Sequence, residues 1–468
     1  MKRLSLIAPL FLCVNLCTGE DVSTKNHGPC RPDINGTVDP RYEKRANQYF
    51  PAIREETVTC VKNVANEYPC SHINLESFVP TRELNGGGTT ELNDIWGWTS
   101  PNTSIEYALV GVKSGTSFVS LEDPNNPVVL GFLLSYSSNS IWRDIKTYMN
   151  YVFVVAEASG HGMQVFDLTL LDDIDDTSEI TYFIETAHYE LISTAHNIAI
   201  NEESGFAYIV GGSGTTDCDG GLHVVNITDP LNPTFSACFS EQGYTHDVQC
   251  VNYNGPDTNY AGAEICFASN ENQVDIVDVS DKTNLRLIST FSYPDEYYTH
   301  QGWLTEDHKY FIIDDESDEQ RSGMETRSII CNVIDLENPT LQGIYTGETT
   351  AIDHNMYVKG NYVYQANYRA GLRVLDLTSI SDGTMEEIAY FDVYPDDDQN
   401  FFDGAWSTYP FFESGLVIVS SIERGLFVLR LDFSENNTVK DFLTSLIENI
   451  VSFFTELLSA ILGIFRSD

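Results

Sequence analysis

Seven segments of one kind recur along the chain, and they constrain its fold more than any other feature. "GTSFVSLEDPNNPVVLGF" begins at Gly115, "GLHVVNITDPLNPTFSAC" at Gly221 and "QVDIVDVSDKTNLRLIST" at Gln273. Stretches beginning at Gly162, Arg327, Gly371 and Gly425 occupy the same slot. Each copy reads as a β-rich strand, a turn rich in Asp, Asn and Pro, and a second strand. Upstream of each lies another strand pair, clearest in "HNMYVKGNYVYQANYRAGLRVLDL", where Gly360 and Asn361 make a tight turn. The unit is therefore four antiparallel strands with alternating apolar positions. Seven such units over residues 93–431 predict an all-β fold, a seven-bladed β-propeller of four-stranded antiparallel blades. A β-sandwich is the alternative, but it leaves seven similar units unexplained.

A second pattern rides on the first. His196 and Asn197, His246 and Asp247, His300 and Gln301, and His354 and Asn355 each open the first strand of a unit. Asp94 with Trp96, Arg143 with Asp144, and Asp403 with Trp406 occupy the same place in the other three. In a propeller the first strand of every blade lines the central channel. These residues are thus expected to ring one mouth of it. Antiparallel strands reverse at each turn, so the links between second and third strands fall on the same face. Those links add Glu157, His161, Asp315, Arg369 and Glu423. Open propeller mouths commonly bind ligands, and imidazoles with carboxylates suit a divalent cation. Sevenfold geometry is expected to spread the four histidines around a wide channel, too far apart for one ion to take all four. The structural alternative is that these side chains bond the backbone of the next blade, since buried polar groups need partners.

The start, "MKRLSLIAPLFLCVNLCTGE", has a basic beginning, an apolar run and small residues near Gly19, the pattern of a secretory signal over residues 1–19. Sequons at Asn35, Asn102, Asn226 and Asn436 agree with export. Eight cysteines follow the signal, and an even number in a secreted chain points to disulfides. Cys60 with Cys70, Cys218 with Cys238, and Cys250 with Cys266 are the candidate pairs. The net charge of −44, from 69 acidic and 25 basic residues, excludes general electrostatic binding of nucleic acid or anionic lipid. "DDIDD" (172–176), "DDESDE" (314–319) and "DDD" (396–398) are candidate divalent-cation segments. None has the spacing of an EF-hand loop, and a solvated acidic surface is the simpler reading.

Both ends depart from the repeat. Residues 20–92 are polar, contain three cysteines and do not resemble a blade; they read as a partly helical extension closed by a Gly-rich linker. Residues 432–468 form a linker and an amphipathic helix with apolar residues at alternating 3–4 spacing. Its longest charge-free run, 457–465, is too short to span a bilayer. The tail therefore suits peripheral membrane contact or self-association.

"NDIWGWTSP", "WRDIKTY", "EASGHGMQVFDL", "AHNIAINEESGFAY", "YTHDVQC", "YTHQGWLTED" and "SSIERGLFVL", taken in order from about residue 93 to 431, resemble the choice-of-anchor B family of LVIVD-repeat surface proteins. The resemblance implies an extracellular β-propeller and assigns no activity to particular residues. Two functions follow from the ring. One is a binding module, secreted or on the cell surface, that presents it to an extracellular protein or glycan. The other is a hydrolase or lyase with His246 or His300 as base. A purely structural surface protein is a third. No GxSxG, phosphate loop or dinucleotide fingerprint occurs, which favours binding over catalysis.

Overall fold

A computed structural model describes residues 49–87, 90–174, 179–212 and 218–434. The signal segment, the sequons at Asn35 and Asn436, and the C-terminal helix lie outside these residues.

The described chain is a seven-bladed β-propeller. Its inner strands, in order, are Leu92–Thr99, Arg143–Tyr148, Asn197–Asn201, Asp247–Asn252, Thr299–Leu304, Met356–Lys359 and Ala405–Tyr409. Each pairs antiparallel with a second strand and begins one sheet. Blades 3, 4 and 5 contain four consecutive strands each.

The repeated sequence has a local cause. The last residue of the third strand turns the chain with its own side chain. Asp167, Asn226, Asp278, Asn332 and Asp376 each accept a bond from the backbone N–H two residues on. A second such turn follows at Asp123, Asp229, Asp281 and Asp335. These Asx turns replace backbone turn bonds and explain the recurring Asp or Asn. A bulge between third and fourth strands then recurs, for example at Ile276/Val277 and Val374/Leu375.

Closure departs from expectation. Residues 20–92 were expected to stand outside the blades, yet Ile73–Pro80 pairs with Gly425–Leu431 as the outer strand of blade 7. This joins the two ends of the described chain in one sheet, and Ile53 and Val58 bridge to its outer edge at Phe78 and Leu75. Tyr68–Ser71 adds to the outer strand of blade 6, and Thr181–Phe183 adds in parallel to blade 1. The described part of the extension is extended chain apart from the short helix Thr81–Leu84. The propeller thus begins at residue 73 rather than 93.

All three expected disulfides form: Cys60–Cys70, Cys218–Cys238 and Cys250–Cys266. Cys250 and Cys266 face each other directly across the first two strands of blade 4. Asn102 is exposed and Asn226 partly buried. Among the described residues no helix is long and apolar enough to cross a membrane.

Candidate metal centre at the channel mouth

The four histidines head the inner strands of blades 3 to 6 and lie ring beside ring, tilted by 37–53° to one another. Centroids of His196 and His246, and of His246 and His300, lie 4.2 Å apart, and those of His300 and His354 lie 4.5 Å apart. None is more than 8% exposed. The expected wide ring is thus a tight ladder, because adjacent inner strands bring the strand starts into contact at the axis.

Each ladder ring is anchored through Nδ1. His196 Nδ1 meets Glu157 Oε1 at 2.5 Å, and His300 Nδ1 meets Asp314 Oδ1 at 2.9 Å. His246 Nδ1 bonds the carbonyl of His300 at 3.1 Å, and His354 Nδ1 that of Trp406 at 2.5 Å. A carbonyl only accepts, so His354 carries its proton on Nδ1 and presents an Nε2 lone pair. Glu316, just beyond the second strand of blade 5, faces both lower rings. Its Oε1 lies 3.5 Å from His354 Nε2 and its Oε2 lies 3.8 Å from His300 Nε2. The Tyr368 hydroxyl donates to Oε1 at 2.8 Å.

Burial sets the charge states. It pushes His354 down to about 3 and, with the neighbouring imidazoles, holds His300 well below its ordinary value. Both rings are neutral at neutral pH. Burial likewise pushes Glu316 up to about 7. His196 goes the other way: burial opposes its charge, but the Glu157 bond and charge outweigh burial.

The partners of the histidines along the sequence do the structural work. Asp94 Oδ2 accepts from Ile145 N, and Asp144 Oδ2 from Ile198 N. Asn197 Nδ2 donates to His246 O, Gln301 Nε2 to Met356 O, and Asn355 Nδ2 to Trp406 O. Each bond runs from one blade to the next blade's inner strand. Clasping is thus shared between the two members of the pair: His246 and His354 also bond the next blade's backbone, whereas Asp247 accepts from Val248 N of its own strand.

The other predicted residues separate from this cluster. Asp315 points away, accepting from the backbone of Tyr297 and Tyr298; alternation along a strand puts 314 and 316 on one side and 315 on the other. Arg143 is buried against His161 Nε2 at 3.1 Å and Ser135, and burial lowers it to about 10. Burial, then the Arg143 charge, pushes His161 down to about 4. Arg369 is committed to Asp403 and to Asp397, 2.6 Å away. Glu423 accepts from Gly404 N and is pushed up to about 7 by burial. Trp96 and Asp247 line a cavity of about 270 Å³ toward the far ends of the inner strands, beside Lys146 and Trp303. Burial, then the nearby Asp144, pushes Asp247 up to about 7. Lys146, which sequence reasoning missed, bonds Asp144 at 2.6 Å and lies 3.4 Å from Asp94. It sits two positions past Asp144, on the same face of the strand, and lines that cavity.

The family model for the LVIVD repeat matches residues 259–293 and 354–386. These spans contain the third strands Val274–Asp278 and Leu372–Asp376, whose closing aspartates make the Asx turns. The protein is a β-propeller, two segments of which match the LVIVD repeat. Among solved structures, this propeller is similar to the β-propeller domain of Myceliophteria thermophila Cps50 (Swd1), at 10% identity over 73% of this chain and 99% of that one, with a TM-score of 0.46. Hydrazine synthase of Kuenenia stuttgartiensis matches at 12% identity over 72% and 95%, with a TM-score of 0.49. A Lactobacillus plantarum protein matches at 15% identity over 71% and 89%, with a TM-score of 0.46. Comparison with curated proteins gives no match.

Proposed function

We propose that this LVIVD propeller is an extracellular binding module of the choice-of-anchor B type, and that its channel mouth holds a divalent transition-metal ion between His300, His354 and Glu316. Three disulfides and the exposed sequon at Asn102 support the extracellular setting.

The convergence of two neutral imidazoles on one carboxylate carries the metal reading. Their ligand atoms lie within 4.8 Å of one another. Ligands at about 2.0–2.1 Å from a tetrahedral zinc lie roughly 3.3 Å apart; the imidazoles lie 3.5 and 3.8 Å from the two Glu316 oxygens, so binding draws the three groups inward. Each metal-facing His has its other nitrogen tied to a carboxylate or a carbonyl, the arrangement that orients ligating histidines. The rings are buried too deeply to meet a sugar or peptide directly. A bare ion fits where they do not reach.

Elemental analysis of the full-length protein, followed by calorimetric titration of Zn²⁺ into chelator-treated protein, tests this. About one equivalent is expected, with affinity lost in Glu316→Gln and His354→Ala. A chelated protein that takes up no Zn²⁺ sinks the reading.

A further inference from the structure

Beside the histidine centre lies a second cluster of different chemistry. Asp318 and Glu319 open the short helix Asp318–Ser322 in the second-to-third link of blade 5. Asp353 comes from the crossover into blade 6, one residue before His354. All three are fully buried, and one oxygen of each lies within 4.8 Å of the others. The "DDESDE" run is thus not the solvated surface its composition suggests.

Four of the six carboxylate oxygens of this cluster are left without donors. Both carboxylate oxygens of Asp353, Oε2 of Glu319 and Oδ1 of Asp318 are buried and accept no hydrogen bond. The only basic group near them among the described residues is Arg327. Its Nε bonds Asp318 Oδ2, and its Nη2 lies 3.8 Å from Asp315. One guanidinium thus faces two acids, while Glu319 and Asp353 have no ion pair among the described residues. Glu319 is held in place from outside: Asn400 Nδ2 donates to its carbonyl at 2.9 Å, and the Asp353 N–H approaches its Oε1 at 3.4 Å. Several bare carboxylate oxygens in a dry site are costly unless a cation or protons neutralise them.

We propose that Asp318, Glu319 and Asp353 bind a calcium ion. The donors are all hard oxygens, with no nitrogen or sulfur, which selects an alkaline-earth cation over the metals that suit imidazole. Oxygens at about 2.4 Å from one calcium lie no more than about 4.8 Å apart, and one oxygen from each of these residues falls within that limit. The ion ties the blade 5 link to the crossover that carries His354, so it stabilises the side of the mouth that also supplies Glu316.

The test uses the full-length protein, stripped with a calcium chelator and melted with and without added Ca²⁺ in zinc-free buffer. Ca²⁺ is expected to raise the melting temperature. Asp353→Asn, close to isosteric, is expected to abolish that rise while the chelated variant melts no lower than the chelated parent. Glu319→Gln supplies the same reading should Asp353→Asn fail to fold. Glu316→Gln is expected to lose Zn²⁺ but keep the Ca²⁺ response, which separates this site from the histidine centre. No Ca²⁺ response in the parent overturns the proposal and leaves protons as the neutralising species. A response that survives in both Asp353→Asn and Glu319→Gln overturns it as well.

Discussion

Two arcs of the same ring solve the same problem differently. On blades 7, 1 and 2 the buried acids meet bases: Asp403 with Arg369, and Asp94 and Asp144 with Lys146. Arg424, buried over the Phe50 ring, reaches the exposed Asp396 at 3.0 Å. On blades 5 and 6, Asp314, Glu316, Asp318, Glu319 and Asp353 face neutral imidazoles and the single Arg327. In the first arc Asp403, Asp94 and Asp144 each have a basic partner, with Lys146 serving two of them, and these pairs hold blades together. The second carries charge that the described chain does not compensate. Similar positions in a repeat can therefore differ in kind, and the difference lies in counter-charges rather than in the acids.

The largest expected effect comes from removing one charged group in each arc. Arg369→Ala strands Asp403 in a buried site and should cost roughly 3–5 kcal/mol, with or without metal. Glu316→Gln removes an uncompensated acid of nearly the same shape and should leave the chelated protein within about 1 kcal/mol of the parent. Equal losses in the two chelated variants would erase the distinction between the arcs.

Acidity sharpens the same contrast. Burial pushes Asp247, Glu316, Asp275 and Asp392 to about 7. Between pH 6.5 and 8.5 the folded chain gives up protons that the unfolded chain has already lost, so stability falls as pH rises. The depressed His300 and His354 act with opposite sign, but their contribution is lost only as pH falls below 6.5, outside this window. Melting in chelator should therefore drop by a few degrees from pH 6.5 to 8.5, about what 1–2 kcal/mol gives in a large domain. Divalent cations at pH 8.5 should restore part of it. A melting temperature that rises over this interval would show that the fold does not hold these buried acids protonated.

The blades were legible because each repeat states its own turn chemistry locally. Asp278 and Asp376 do the same thing for the same reason. The outer strand of blade 7 was not legible. "INLESFVP" is buried on both faces, so it shows no alternation, and its partner Gly425–Leu431 lies at the other end of the described chain. The histidine pairs were visible as a rhythm, and their bonding to the next blade was one of the two readings that rhythm allowed. Their close contact was not visible, because the width of the channel is a property of seven blades together. Asp315 was chosen over Glu316 because a run of acids does not reveal which member faces inward. Asp353 carried no signal, since its importance depends on residues 318 and 319 folding against it.

The smallest effect asks whether the clasps and the ladder are separable. Asn197 Nδ2 bonds His246 O across blades 3 and 4, away from His300 and His354. Asn197→Ala deletes one bond of a kind worth about 1 kcal/mol. A small drop in melting temperature is expected, with Zn²⁺ affinity unchanged by calorimetry, because Asp314 and the Trp406 carbonyl still hold the rings that face Glu316. The alternative outcome is informative in the other direction. If this substitution weakens Zn²⁺ binding as much as His354→Ala, the four rings act as one unit, and the alignment of blades 3 and 4 is part of the metal centre.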